Sequence, residues 1–315
     1  MINKLEILGD YMNNKKIIIG VISAIVCEAL YGFSYIFTKN ATEVADTFSI
    51  LAWRFFIAFL VMFLCLLLGI IKIDLKEKPL KKLLFATIFS PCLYFLGETI
   101  GISHTTASES GVFLACIPVV SLSASALLLK NKPSKIQVLG VAITLIGVIM
   151  TVVTVGFSSS FSIIGYSFLI LAIFSYVLYS IFVETFVEYT GFEITFVMLM
   201  VGSVVFMSIA ILQSLFAGTF VDLISLPFRE KTFAVAVLFQ GIICSVIAFF
   251  LSNVAIANIG VNKTASFIGI STVVSILAGA LILNEDFTIY QVIGAVIIIS
   301  GVYIANIKTK EKAID

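Results

Sequence analysis

Residues 119–148 read VVSLSASALLLKNKPSKIQVLGVAITLIGV, and residues 273–302 read VVSILAGALILNEDFTIYQVIGAVIIISGV. Set against each other at a constant offset of 154, without gaps, the two stretches agree at 13 of 30 positions. The agreements include Gln137 with Gln291, Gly140 with Gly294 and Gly147 with Gly301. Apolar helices resemble one another by composition, but an ungapped register carried through Gln and two Gly marks an internal repeat. The turn inside each stretch differs in charge: Lys130-Asn131-Lys132 in one, Asn284-Glu285-Asp286 in the other. One repeat position with reversed charge predicts opposite sides of a membrane, because cytoplasmic loops collect Lys and Arg.

Outward from that repeat, the rest of the chain reads as membrane. Apolar residues make up 61% of the 315 and charged residues 12%, about half the charged share of a soluble domain. Ten apolar runs approach the roughly 20 residues a helix needs to cross hydrocarbon. They cover 17–37, 47–70, 83–103, 107–129, 136–155, 162–183, 193–217, 233–257, 262–283 and 288–307. The polar breaks at 103–107 and 257–262 are short and demand tight hairpins. The expected fold is therefore all-α and integral to the membrane. It has ten transmembrane helices as two five-helix repeats, 1–156 and 157–315. Because each repeat holds an odd number of spans, the second is inverted relative to the first. No cleavable signal peptide is evident in the polar first 16 residues.

Lys and Arg orient the chain. With the N-terminus inside, the cytoplasmic segments hold 15 of them, from Lys4 through Lys72–Lys82 and Lys130–Lys135 to Lys312. The other side holds three, Lys39, Arg229 and Lys231, and Arg54 lies within the second run. That bias predicts both termini on the cytoplasmic side of a prokaryotic inner membrane. The loop 184–193 dissents, with Glu184, Glu188 and Glu193 and no Lys.

Inverted repeats build secondary transporters, with the substrate near the midplane where the halves meet and access alternating between the two sides. No G-x-x-x-x-G-K-[ST] loop for ATP is present, so transport is passive or ion-coupled. A net charge of +1 points to no nucleic-acid partner. Cys27, Cys65, Cys92, Cys116 and Cys244 lie in apolar runs without metal-ligand spacing, and a single His104 excludes His-based catalytic or metal constellations. No cofactor or metal is expected, and the partners are the bilayer and a small-molecule substrate.

Several residues then resemble a known group: Tyr31-Gly32, Trp53-Arg54-Phe55, Pro118, and the run from Leu283-Asn284-Glu285 through Gln291 and Gly294 to Gly301. The chain resembles the drug/metabolite transporter superfamily, in its EamA-type ten-helix branch. It departs from that pattern at Thr272, where a proline is usual, and at Lys130, where an acid is common. The resemblance implies a cavity lined by spans other than five and ten. Those two would lie at the periphery, where they can mediate a homodimer.

Charged side chains inside a bilayer are costly and mark function by default. Glu28, Tyr31 and Tyr35 share one face of the first run, and Tyr94 and Glu98 share one face of the third. Tyr176 and Tyr179 coincide in the sixth, while Trp53, Gln240 and Asn253 complete the polar or aromatic candidates for substrate contact. Carboxylates flanked by tyrosines suit a positively charged amine, through charge and cation–π attraction. The expected substrate is a cationic or zwitterionic amine, choline-like or an amino acid. Glu28, Glu98 and Glu109 are the candidates for proton coupling. Bland readings stand beside these: Glu109 as a solvated helix start, Glu98 paired structurally with Arg54, Tyr35 and Tyr166 as interfacial belt residues. The alternatives are export of an uncharged metabolite or drug, and a membrane-embedded enzyme using paired carboxylates. The loops are short for an enzyme, so none is expected.

Overall fold

The computed structural model describes residues 2–105, 110, 113–114, 116–130, 133–153, 162–282 and 289–307. Among the described residues the regular elements are helices, with no strand. They run α1 (Ile2–Thr42), α2 (Thr47–Leu67), α3 (Leu80–His104), α4 (Ile117–Leu128), α5 (Lys135–Val153) and α6 (Ile163–Thr185). Then follow α7 (Gly191–Ala217), α8 (Phe220–Arg229), α9 (Lys231–Ile259), α10 (Val261–Ser266), α11 (Gly269–Ile282) and α12 (Ile289–Ala305). Six are apolar and long enough to cross hydrocarbon: α1 over Asn14–Thr42, α2, α3, α6, α7 and α9. Helix α1 starts at Ile2, so the helix runs back through the polar segment ahead of the first apolar run.

The polarity is inside-out relative to a soluble protein. Leu68, Leu127, Phe174, Val204 and Phe216 are exposed, whereas Glu28, Arg54, Glu98, Gln240 and Asn253 are buried. With lipid outside, apolar surface has no reason to hide, and polar groups must find partners within.

Local chemistry sets the helix ends. The Asp46 carboxylate accepts from the Phe48 and Ser49 amides at 3.0 and 3.1 Å and opens α2. Thr190 and Glu193 form a reciprocal capping box at the start of α7. Gly260 (φ +79) turns α9 directly into α10, a backbone geometry that favours glycine.

Polar links gather the loops at two ends of the bundle. At one end the Lys78 ammonium meets Glu193 at 2.6 Å, and the same carboxylate accepts from the Asp74 amide at 3.2 Å. There too the Val261 amide donates to Glu184 at 2.6 Å, and Asn262 donates to Ser125 at 3.0 Å. At the other end the Trp53 indole donates to the Leu223 carbonyl at 3.0 Å, and Gln240 to Thr38 at 2.8 Å. The acidic loop that broke the charge pattern is thus built from capping groups. Glu184 caps α10, and Glu193 caps α7 while neutralising Lys78.

Helices α5 and α12 pack along each other through their small residues. A Cβ added at Gly147 would lie 2.9 Å from the Gly294 carbonyl oxygen, and one at Gly301 would collide with Thr144. Such stripes allow backbone approach where no hydrophobic effect drives association. Here they are spent within the chain.

Candidate functional site

Two spanning helices, α3 and α9, each contain a wide-turned stretch. In α3, Ser90 leaves helical geometry (φ −142, ψ 120) just before Pro91, within a wide-turned stretch at Ile88–Leu93. In α9 the stretch Phe239–Ala248 is wide-turned as well. Irregular backbone within the bilayer is tolerated where it is buried in protein or lines a cavity. Ser90 does line one.

That cavity encloses about 600 Å³ including its mouth. Glu28, Tyr31, Ser34 and Tyr35 enter from α1, Ser90, Tyr94 and Glu98 from α3, and Tyr176 and Tyr179 from α6. Met198 comes from α7, Phe249, Ser252 and Asn253 from α9, and Ser271 from α11; Leu114, Ile117 and Ile268 add apolar wall. Helical periodicity explains the α1 set: 28, 31 and 35 recur on one stripe, and 34 falls beside them. Glu28 is 6% exposed and Glu98 9%. The Tyr94 hydroxyl donates to Glu98 at 2.9 Å, one turn apart on α3.

The opposite wall spends its polar groups on itself. The Tyr179 hydroxyl donates to the Asn253 carbonyl oxygen and also lies 2.9 Å from the Met198 sulfur. The Asn253 amide donates to Thr195 at 3.0 Å. This tie joins α6, α7 and α9. On the first wall the carboxylates keep lone pairs free for a ligand, since each can accept several hydrogen bonds.

Of the residues expected at the site, Glu28, Tyr31, Tyr94, Glu98, Tyr176, Tyr179 and Asn253 line this one cavity. Trp53 and Gln240 do not. Trp53 bonds α8 and stands edge-on to Phe56 at 5.8 Å, and Gln240 is committed to Thr38. Glu109 lies outside the described residues. Tyr35 lines the cavity, and Tyr166 stacks on Phe113 at 4.8 Å. Ser34, Ser90, Ser252 and Ser271 were not anticipated. Ser34 and Ser90 lie one helical turn from Tyr31 and Tyr94, and Ser252 adjoins Asn253, whereas no such neighbour marks Ser271.

A structural pair with Arg54 was the alternative reading of Glu98, and in the structure Arg54 makes other contacts. It is 3% exposed. Its Nε donates to Ser245 at 2.8 Å and its guanidinium lies over the Phe95 ring at 4.2 Å. Among the described residues no carboxylate lies within 4.0 Å of it. No group of three or more His, Cys, Asp or Glu that could hold a metal ion occurs among the described residues.

Comparison with known proteins agrees with this architecture. The sequence model of the EamA-like transporter family matches residues 18–153 and again 163–307. The chain belongs to the EamA-like transporter family. A Bacillus subtilis (strain 168) member named "Uncharacterized transporter YcxC" is 33% identical over 293 residues, 92% of this chain and 94% of that protein. "Uncharacterized transporter YyaM" of the same organism is 28% identical over 266 residues, 81% of this chain and 83% of its own length. A solved crystal structure superposes with a TM-score of 0.69 at 17% identity, covering 93% of this chain and 97% of that one, a likeness of fold. As an EamA-like, drug/metabolite-superfamily protein, the chain is an integral membrane transporter rather than an enzyme.

Proposed function

We propose that the chain carries a small organic amine through this cavity by alternating access, as a secondary transporter. The observation that carries the reading is the meeting of Glu28 and Glu98, from two different helices, in one tyrosine-rich cavity. A desolvated ammonium gains from a carboxylate and from ring faces together, the latter about 2 kcal/mol or more. Neither carboxylate is consumed by a Lys or Arg within 4.0 Å among the described residues.

In this reading ten helices cross the membrane as two inverted halves, 1–156 and 157–315. The twofold match of one family model supports it, as do wide-turned stretches in both α3 and α9 and side-chain N-caps opening both α2 and α7. The Lys-rich end, where Lys78 meets Glu193, is cytoplasmic and carries both termini. Glu28 is the proton-coupling site. Its carboxyl either holds a proton or faces the amine, so the two occupants exclude each other. A homodimer would use the outward faces of α5 and α12, where Leu139, Ile146, Val296 and Tyr303 are exposed.

A thermal-shift screen of the detergent-purified protein against amines, amino acids and sugars tests the reading, repeated with Glu28→Gln. A ligand that binds only the folded state raises its melting temperature in proportion to the logarithm of concentration over Kd. Stabilisation by amines that vanishes in the variant is the expected result. Stabilisation only by neutral compounds, indifferent to the variant, would replace the amine with an uncharged metabolite.

A further inference from the structure

Arg54 is the one Lys or Arg of the chain that falls inside an apolar run rather than in a loop or at a helix end. It does not line the cavity, and its position is held from two sides, by Ser245 of α9 and by the Phe95 ring. Phe95 belongs to an aromatic layer with Phe55 at 5.4 Å and Phe249 at 5.1 Å, and Phe249 itself forms part of the cavity wall. Phe95 and Glu98 are three residues apart on α3, on neighbouring positions of one helix face. The guanidinium therefore lies against a ring that is one helical turn from Glu98, with no carboxylate within 4.0 Å among the described residues. It is close enough for its charge to be felt in a low-dielectric medium and too far to occupy a carboxylate.

The charges in and behind this wall can be counted. With an amine bound and both acids ionised, Glu28 and Glu98 contribute two negative charges and Arg54 one positive. Among the described lining residues none is Lys, Arg or His, so no cationic side chain in the wall meets a substrate carboxylate. We infer that Arg54 sets the substrate's charge: offsetting one of the two acids from behind Phe95, it makes the cavity select amines with a single positive charge and no carboxylate. Arg54 acts through the field it imposes rather than by contact, as a specificity-determining residue. A diamine places its second ammonium where Arg54 has already supplied the compensation. A zwitterion places its carboxylate against two acids. The inference rests on the amine reading above and sharpens it.

The test compares n-butylamine with 1,4-diaminobutane, which share a carbon chain and differ by one charge. Binding is measured by isothermal titration to the full-length, detergent-purified protein. The wild type is expected to favour the monoamine roughly tenfold or more, the order of effect for one charge at an effective dielectric of about 20. Arg54→Gln should reverse that ratio in favour of the diamine, while Arg54→Lys keeps it. Glu98→Gln should weaken the monoamine by at least about tenfold, and Arg54→Gln combined with Glu98→Gln should restore it, because the net charge returns. A merely structural arginine would lower affinity for both amines together and would not be rescued by a second charge removal. An unchanged ratio in Arg54→Gln, or an amino acid binding as tightly as the monoamine, overturns the inference while leaving the amine reading intact. Should Arg54→Gln not fold, Glu98→Gln and Arg54→Lys carry the test. Unchanged monoamine affinity in Glu98→Gln, or a ratio shifted by Arg54→Lys, then overturns it. Failure of both amines on the wild type removes the amine reading itself.

Discussion

The two walls of the cavity are built from similar residues and use them differently. On the α1/α3 side, Glu28 and Glu98 face the cavity, and the Tyr94 hydroxyl donates to Glu98. On the α6/α7/α9 side, Tyr179, Asn253, Thr195 and Met198 are closed into one network. A polar group left with capacity in a dry interior serves a ligand, whereas one whose capacity is spent serves the fold. On the reading proposed above, recognition falls to the first wall, while the second ties three helices together.

That division can be broken by substitution. Glu28→Gln should have the largest effect on binding, weakening an amine by about a hundredfold, or about 2.7 kcal/mol, while the unliganded melting temperature stays near that of the wild type. Titration of the amine and a melt without ligand give the two numbers. Loss of fold along with binding would make Glu28 structural. Asn253→Ala should do the reverse. It strands the Tyr179 hydroxyl and Thr195, and with membrane hydrogen bonds worth about 0.6 to 1.7 kcal/mol each, about 2 kcal/mol of stability should go. Amine affinity should change less than about threefold, or about 0.7 kcal/mol; a larger loss would place the second wall in recognition.

The ion pairs at the bundle ends sharpen the same contrast between committed and uncommitted charge. Glu193→Gln removes a carboxylate that is 4% exposed and serves Lys78, Asp74 and Thr190 together. The Lys78 side chain is 23% exposed, so solvent screening reduces the pair, and about 1 kcal/mol is expected. Faster proteolysis within 68–79 would report it. Asp222→Asn removes a partner of Arg229 at the surface, both side chains about two-thirds exposed, and melting should not change measurably.

Much of this was legible before any coordinates. Long apolar runs can only be helices in lipid, because each backbone polar group must be satisfied within its own segment. Six of the ten expected spans stand as apolar helices of spanning length, and the family match covers both halves. Seven of the nine residues expected to contact substrate share one cavity, since a Glu or Asn inside an apolar run must face protein. Trp53 and Gln240 also face protein, but they turn toward α8 and toward Thr38.

Composition and periodicity by themselves determined an α-helical membrane chain and which polar residues could not face lipid. Each follows from the cost of polar groups in hydrocarbon, a property of residue type and spacing. Tertiary structure alone decided which interior space each residue enters: Glu98 toward the cavity with Tyr94, Arg54 behind Phe95, Glu193 onto Lys78. Helix rotation and the departure of α3 from helical geometry at Ser90 set those directions. Both depend on packing between segments far apart in the chain, which no local pattern encodes.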